Sequence, residues 1–566
     1  MLGSVLVANR GEVAVRIVRA CRELGLRSIV VHTDVDAGSL AVRVADDAVP
    51  VASYLDVDAV VRAALDGGVG AVHPGYGLLA EDAGFARAVV EAGLVFVGPP
   101  ADVVAAMGDK VRARALAREA GVPVLPGSDG PVEADLARAA AAEIGFPLLV
   151  KAAHGGGGRG MRVVAGPADL DDALAAAGRE AAAAFGRGEV FLERHVARAR
   201  HVEVQVLADH HGAVAVLGDR DCTVQRRHQK LLEEAPAPDL PVRDELHAAA
   251  RRLADGVGYR GAGTVEFLLD RDTGAPAFLE MNTRLQVEHG VTELVTGVDL
   301  VVAQLRLAAG ETLHDVLGTV EVRGHAIQAR IAAEDPGAGF VPSPGRISDL
   351  RVPTGPWVRA DLGVEAGDTV PRDYDSLLGK VLAWGPDRAT AVTRLAGGLD
   401  DLVVAGVPTT ASYLRTVLDR PEYAAVAHDT GSVERDWAPS PTPASPAAAA
   451  STTRSIRLAT DRGPLTLRVP RHRGDAVVTE AAAPSADAPS AAAATGDPVA
   501  PMDATVVDVA VKAGDDVAAG AVLVVLEAMK MELPVRAPHA ARVDAVHVAP
   551  GDRVTAGSAL VVMGAP

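Results

Sequence analysis

The chain is predicted to be a multidomain α/β and α+β protein, with a Rossmann-like domain at its N-terminal end and a small all-β unit at its C-terminal end. Three observations carry that expectation. The first hundred residues alternate short apolar runs with helical patterns, the mark of strands and crossover helices in a parallel sheet. An Ala-, Pro- and Ser-rich stretch opens at Ala438 and reads as linker rather than core. Beyond it, Val511, Gly514, Asp515, Val517, Ala519, Gly520 and Leu523 recur at a constant shift of 37 residues as Val548, Gly551, Asp552, Val554, Ala556, Gly557 and Leu560. Two matching β units with Gly-Asp turns imply a pseudo-symmetric sandwich.

Bulk properties bound the function. A chain of 566 residues exceeds one core, so about three to five domains are expected. The composition is globular, but aromatics are only 3%, so the cores must be built from Val, Leu and Ala. A formal charge of −19 argues against non-specific nucleic-acid binding while leaving room for local positive patches. Two cysteines, Cys21 and Cys222, give no disulfide framework and suit a reducing cytoplasm. No secretory signal is read, and no apolar run approaches the roughly 18 residues of a membrane helix.

In chain order, 5–8, 28–32, 70–73 and 94–97 read as strands, and 13–24 and 82–92 as helices. They make up an expected first domain of 1–107. A second, 108–320, mixes helices with longer strands such as 190–192 and 201–207. A third covers 321–437. The linker, 438–498, contains strand-like 455–458 and 465–469. The repeat unit spans 499–566.

Lysine usage is the most selective signal. The 55 basic residues include six lysines, and five of them (Lys110, Lys151, Lys230, Lys380 and Lys530) stand in motif-like surroundings. Lys is a compact charge that can be acylated, whereas Arg is a planar fork that stays charged. Lys530 lies in Glu527-Ala528-Met529-Lys530-Met531-Glu532, between the two copies of the repeat, and should project from a hairpin tip. The plain alternative is a surface lysine on a tight turn.

The second motif is Lys151-Ala152-Ala153-His154-Gly155-Gly156-Gly157-Gly158-Arg159-Gly160. Successive glycines let backbone N–H groups form an anion nest. A strand leads in at 148–150 and another leads out at 161–164. A Walker loop would instead lead into a helix and carry Gly-Lys-Ser/Thr. Strand-loop-strand suggests a hairpin lid over a nucleotide, as in ATP-grasp enzymes. Glu266 and Glu280, with Asn282 close by, sit among apolar strand neighbours. A buried carboxylate needs a partner, and Mg²⁺ bridging phosphates is a natural one; two edge-strand acids would look the same in sequence. Arg284 is a candidate anion holder and Glu288 a candidate base. The segment 219–230 packs four cations together and reads as a phosphate or bicarbonate funnel, with Cys222 as a packed small residue.

Ala8-Asn9-Arg10-Gly11-Glu12, His73-Pro74-Gly75-Tyr76-Gly77, Met107-Gly108-Asp109-Lys110, Gln225-Arg226-Arg227-His228-Gln229-Lys230, Glu280-Met281-Asn282-Thr283-Arg284-Leu285-Gln286-Val287-Glu288-His289 and Ala333-Glu334-Asp335-Pro336 together resemble biotin carboxylase, from residue 1 to about 435. The C-terminal unit resembles a biotin carboxyl carrier protein. Lipoyl domains share that architecture but usually carry Asp-Lys-Ala at the turn, so Met-Lys-Met favours biotin. The whole is similar to the α subunit of acetyl- or propionyl-CoA carboxylases of the fused, actinobacterial type.

The resemblance implies a ligase that carboxylates biotin on Lys530 with bicarbonate and ATP, by way of carboxyphosphate. It would supply carboxybiotin to a separate carboxyltransferase β subunit of an acetyl- or propionyl-CoA carboxylase, in fatty acid biosynthesis. It places Lys110, Lys151, His201 and the loop of Gly155, Gly156, Gly157 and Gly158 on ATP phosphates, and Glu193 and His228 at the adenosine. Glu266, Glu280 and Asn282 would surround Mg²⁺ or Mn²⁺. Lys230 and Arg284 would hold bicarbonate, Glu288 would deprotonate it, and Arg330 would stabilise the biotin enolate. Tyr76, Gly77, Gln286 and Val287 would line the biotin pocket. It also implies a biotin protein ligase acting in trans and a homodimer of the carboxylase core within a larger complex, with no nucleic acid or membrane involved.

The chain departs from the family pattern in places. Gly290 replaces a frequent Pro and is expected to loosen its loop. Ala332 replaces an Asn or aromatic residue. Asp503-Ala504 replaces a common Pro-Gly early in the carrier, and His154 opens the glycine run. Residues 438–498 are too few for the β-barrel that docks longer α subunits. Two other readings are a stand-alone ATP-grasp ligase, opposed by Lys530 and the repeat, and a scaffold with a decayed ATP site, opposed by the intact polar residues.

Overall fold

The computed structural model of the chain describes residues 2–132, 134–153, 161–439, 453–460, 463–470, 497–528 and 531–564. The N-terminal sheet is parallel, with strands in the order Asp47–Pro50, Arg27–His32, Ser4–Val7, Ala71–His73, Val95–Phe96. Ser4–Val7 is central and wholly buried because helices cover both faces. Helix Gly11–Glu23 follows the first strand, and Ala83–Glu91 is capped by Asp82, which accepts from Phe85 N. The expected strands and helices lie here. Strand Asp47–Pro50 and helix Val57–Asp66 lie outside the expectation. The strand is a four-residue, half-exposed edge, whereas the helix carries a legible Asp56 cap on Ala59 N and an apolar face at Val60, Ala63 and Ala64.

The second sheet sets up the site. Its eight antiparallel strands run in the order Pro276–Asn282, Gly261–Asp270, Ala199–Ala208, Val214–Arg226, Gln229–Ala235, His325–Ala332, Leu377–Gly385, Val358–Leu362. It runs unbroken across residue 320. Period-two alternation divides its faces. Val202, Val204 and Val206, with Val265 and Phe267, pack against Leu246, Ala250 and Leu253 of helix Arg243–Gly256. His201, Glu203, Gln205, Thr264 and Glu266 alternate with these and form the opposite, polar face.

Leu148–Ala152 pairs antiparallel with Met161–Val164 and with Val190–Arg194. The strand-loop-strand expectation therefore holds at its flanks, while Gly155 to Gly158 lie outside the described residues. After the buried Trp437, strands Thr453–Thr460 and Gly463–Pro470 pair with each other.

The C-terminal unit is a sandwich of a four-stranded and a three-stranded sheet. Its repeat is reproduced in the backbone. Gly514 and Gly551 have φ of 94° and 93°, and Gly520 and Gly557 both 83°, conformations glycine adopts without strain. Asp515 accepts from Lys512 N at 3.0 Å, and Asp552 from Ala549 N at 2.8 Å. Strands Val522–Ala528 and Met531–Arg536 form the hairpin on which Lys530 was expected, pairing Glu527 with Glu532 and Ala528 with Met531. Lys530 itself lies outside the described residues. Among those residues, no helix is long and apolar enough to cross a membrane.

Candidate active site

A cavity of about 630 Å³ lies against the polar face of the eight-stranded sheet. It brings together Lys110, Lys151, Glu193, His201 and His228 with Lys230, Glu266, Glu280 and Asn282. Arg284, Gln286, Val287, Glu288, Arg330 and Tyr76 complete its wall. Gly77 is not part of the lining.

At one end, Lys110 opens helix Lys110–Glu119, whose cap Asp109 accepts from Val111 N and Arg112 N, each at 3.0 Å. Burial lowers the Lys110 pKa, Glu280 opposes that, and Lys151 adds to it. Lys151 and Arg114 each pair with one oxygen of the buried Glu193. His228 sits at φ +64° in the tight turn between Val214–Arg226 and Gln229–Ala235, and burial holds its ring neutral by lowering its pKa.

Strand register produces a line of charge. Glu280 is opposite Glu266, Glu266 opposite Glu203, and Glu203 opposite Arg220. Three glutamates side by side repel one another, and cations gather on them. Lys230 Nζ donates to Glu203 Oε2 at 2.6 Å, to Glu266 Oε1 at 2.7 Å and to Glu288 Oε1 at 2.7 Å. Arg220 pairs with the other oxygen of Glu203. His201 Nε2 lies 2.9 Å from Glu266 Oε2. Asn282 Nδ2 and Gln286 Nε2 donate to Glu266 at 2.9 and 2.8 Å. Burial alone would raise the Glu266 carboxyl; Lys230 and His201 outweigh it and hold it well below the usual range. Glu280 goes the other way, raised first by burial and then by Glu266, despite Lys110. The row thus carries more negative charge at Glu280 than its neighbours compensate. The oxygens of Glu266 and Glu280, with the amide oxygen of Asn282, form a hard donor set that suits Mg²⁺. His201, Glu203 and Glu266 bring ligand atoms within 4.8 Å of one another.

Glu288 is held by Lys230 on one oxygen and by Arg330 Nη2 on the other, at 2.9 Å. Burial opposes its charged form, but Lys230, Arg330 and Arg220 together hold the carboxyl well below its ordinary value. Arg330 is itself aimed by Glu233, through Nε. Arg284 Nη2 donates to Asn282 Oδ1 at 2.9 Å, and its Nε lies 3.1 Å from Glu81 Oε2. On the opposite wall, Tyr76 OH donates to Glu12. Asn9 Nδ2 donates to Pro74 O at 2.6 Å and Tyr76 O at 2.8 Å, which fixes that loop. Gly77, at φ +66°, serves the turn rather than the cavity surface.

Several working residues lay outside the expected set. Glu203 was legible in principle, since His201-Val202-Glu203-Val204-Gln205 alternates polar with apolar and puts Glu203 beside His201. Glu233, Arg114 and Glu81 carry no local signal. Lys380, one of the selective lysines, is fully buried behind the wall and donates to Glu12 Oε1 at 3.0 Å and Val287 O at 2.6 Å.

Two expectations besides that for Gly77 are corrected. The segment 219–230 is not a funnel of four cations. Only Lys230 among its lysine and arginines reaches the cavity. Arg220 is sealed behind it on Gln205 at 2.7 Å and on Thr264 and Thr292, each at 3.0 Å, and Arg226 stacks over Phe340 at 4.5 Å. Gly290 does not loosen a loop. It lies in helix His289–Thr296, where a Cβ would come within 2.6 Å of Leu382 Cδ2, so the missing side chain permits close packing. Cys222 is fully buried, with its thiol pushed well up by burial and by Glu203, as a packed residue rather than a nucleophile.

Family models match the chain in series. Residues 1–104 match the biotin carboxylase N-terminal domain, 109–316 the ATP-binding domain of the carbamoyl-phosphate synthase L chain, 328–435 the biotin carboxylase C-terminal domain, and 496–563 the domain of biotin-requiring enzymes. The chain is similar to a biotin carboxylase of Nostoc sp., 48% identical over 428 residues, covering 74% of this chain and 96% of that one. It is also similar to the biotin-dependent acyl-coenzyme A carboxylase alpha3 subunit of Mycobacterium leprae, 43% identical over 568 residues, covering 95% and 94%. Among solved structures, the biotin carboxylase domain dimer of Hydrogenobacter thermophilus 2-oxoglutarate carboxylase, in complex with MgADP, ADP and bicarbonate, matches with a TM-score of 0.74 and 41% identity over 77% of this chain and 97% of that one. Campylobacter jejuni biotin carboxylase in complex with β,γ-ATP matches with a TM-score of 0.75 and 40% identity over 77% and 99%.

Proposed function

Because the chain belongs to the biotin carboxylase family and carries a biotinyl domain on the same polypeptide, we propose that it carboxylates biotin held on Lys530 and passes the carboxyl group to a separate carboxyltransferase subunit of an acyl-CoA carboxylase. Biotin, ATP and Mg²⁺ are its cofactor, co-substrate and metal. The observation that carries the reading is Lys230 bridging Glu203, Glu266 and Glu288, with Arg330 on the far side of Glu288, in the cavity that also holds Lys110 and Lys151.

Bicarbonate is a poor electrophile, and ATP activates it. Lys110, Lys151 and His201 hold the phosphates, with Glu193 and His228 toward the adenosine. Glu266, Glu280 and Asn282 would hold Mg²⁺, which when bound would neutralise phosphate charge. Lys230 and Arg284 hold bicarbonate, and Glu288 takes its proton. Held between two cations, Glu288 is a weak base. An incoming anion that competes for Lys230 raises its proton affinity at the moment it is needed. A bicarbonate oxygen attacks the γ-phosphorus and ADP leaves, giving carboxyphosphate, which demands a cavity closed to water. Biotin, when attached, would supply a ureido nitrogen as the carboxyl acceptor; the C–O bond of carboxyphosphate would break and the departing phosphate would take the ureido N–H proton. Arg330 stabilises charge on the ureido oxygen, Tyr76, Gln286 and Val287 position the ring, and phosphate is released.

The partner reading rests on the mycobacterial relative, named as the alpha3 subunit of a biotin-dependent acyl-coenzyme A carboxylase. We assign residues 1–107, 108–320 and 321–437 to the carboxylation half and 499–566 to the carrier. We read the acceptor as acetyl- or propionyl-CoA, chosen by the β subunit, and the core as a homodimer. The test is to purify the chain with whatever binds it, add ATP, Mg²⁺ and labelled bicarbonate, and offer the two acyl-CoAs separately. Label on one of them supports the full reading. Label that stops on Lys530 supports the carboxylase half alone. No label on a chain shown by mass to be biotinylated removes the catalytic reading.

A further inference from the structure

Among the described residues, the carrier meets the carboxylase beside Arg372 and Val341. Arg372 Nη1 pairs with Asp503 Oδ2, and Val341 packs on the edge of the carrier's apolar core. Both carboxylase residues are near neighbours, along the chain or across a ladder, of residues that line the cavity. Arg372 lies three positions before Asp375, which lines it together with Ser376 and Leu377. Val341 pairs with Asp335 in a two-residue ladder whose other member, Glu334, also lines the cavity and accepts from Ser376 Oγ at 2.6 Å.

The carrier residue is equally well placed. Strand Ala504–Val509 begins beside the end of strand Val522–Ala528, with Thr505 opposite Glu527, so Asp503 lies at the end of the sandwich where Ala528 pairs with Met531. The second oxygen of Asp503 accepts from Ala556 N at 2.8 Å, which aims the first outward. Asp503 is also one of the positions where the chain departs from the usual carrier pattern, so the departure supplies a charge with a use.

We propose that Arg372 and Asp503 form the docking contact that presents the biotinyl end of the carrier to the carboxylase cavity. This rests on the functional reading above. The side chains are 64% and 33% exposed, so the contact is weak and screened by salt. Weakness suits a carrier that must leave after each visit, because tethering supplies an effective concentration of roughly millimolar order. Arg372 is a positioning residue and touches no reacting group.

The test uses the full-length chain, biotinylated in trans, with the extent of loading measured by mass. Carboxylation of the attached biotin and of free biotin is followed in parallel. Arg372→Glu is expected to slow transfer to attached biotin about fivefold and to leave kcat/KM for free biotin unchanged. Adding Asp503→Lys to Arg372→Glu restores attraction and should recover the rate on attached biotin. An unchanged rate in the single variant overturns the docking contact. So does a slowed single variant that the charge swap fails to rescue, because a particular pair must respond to exchange. Failure of the unaltered chain to carboxylate free biotin would overturn the functional reading itself.

Discussion

At the scale of the residue, Lys230 has the largest share of the site. Its ammonium serves three buried carboxylates that come from three different segments. Removing a partner from such a cluster leaves unpaired buried charge, which typically costs about 3–5 kcal/mol. Lys230→Gln should therefore lower both the melting temperature and bicarbonate-dependent ATP cleavage, the latter by about two to three orders of magnitude. Lys230→Arg should not rescue it, since a planar fork does not replace a point donor among three acids. Phosphate release and calorimetry check both statements; a wild-type rate in either variant would contradict the role. His73 gives a pH dependence. Burial lowers its pKa to about 3, and its Nδ1 accepts from Gly75 N at 3.0 Å, so the ring is neutral in the folded chain. The unfolded chain protonates it near pH 6.5 and so binds more protons below that value. Stability from this site is then lost as pH falls from about 6.5 toward 3, at about 1.4 kcal/mol per pH unit. His73→Gln keeps an acceptor for Gly75 N, and its melting temperature should fall less steeply between pH 6.5 and 4 than that of the unaltered chain.

At the scale of the element, antiparallel register turns scattered glutamates into a row. Alternation in 199–208 and 261–270 sends valines to the helix-packed face and His201 and Glu266 to the cavity, with Glu203 and Gln205 on the same polar face behind it. Helix His289–Thr296 lies close enough to strand Leu377–Gly385 that Gly290 has no room for a Cβ beside Leu382. Gly290→Ala should destabilise the chain by roughly 1–3 kcal/mol through overpacking. A smaller side chain at 382 should return part of that loss in a double-mutant cycle, and additive effects would count against the contact.

At the scale of the whole molecule, the eight-stranded sheet joins the middle of the chain to its third unit. Glu233 and Glu234 pair in register with Gln328 and Ile327, and Glu234 also binds His325 at 2.7 Å and Arg388 at 2.6 Å. Ending the chain at residue 320 would strip strand Gln229–Ala235 of one of its two neighbours and Glu233 of Arg330. A chain of residues 1–437 should melt cooperatively and carboxylate free biotin while losing transfer to acyl-CoA. A chain of 1–320 should show neither activity nor a cooperative transition. Circular dichroism and the free-biotin assay distinguish the two.

Much of this was legible in the amino-acid sequence. The parallel N-terminal sheet follows from local alternation of strand and helix patterns, and the carrier's symmetry from the 37-residue shift that reappears as matched glycine dihedrals. The selective lysines and the Glu280-Met281-Asn282 to His289 run marked the chemistry, because short contiguous motifs reveal residue types that elementary electrostatics cannot spare. What the sequence could not supply is pairing between distant segments. Glu203 meets Lys230, Glu233 aims Arg330, Arg220 turns inward while Arg226 turns away, and Asp503 reaches Arg372 only once strands and domains are assembled. Local patterns determine which face a side chain takes along its own strand. Which carboxylate it then stands beside is set by register and packing across hundreds of residues, and only the tertiary structure decides that.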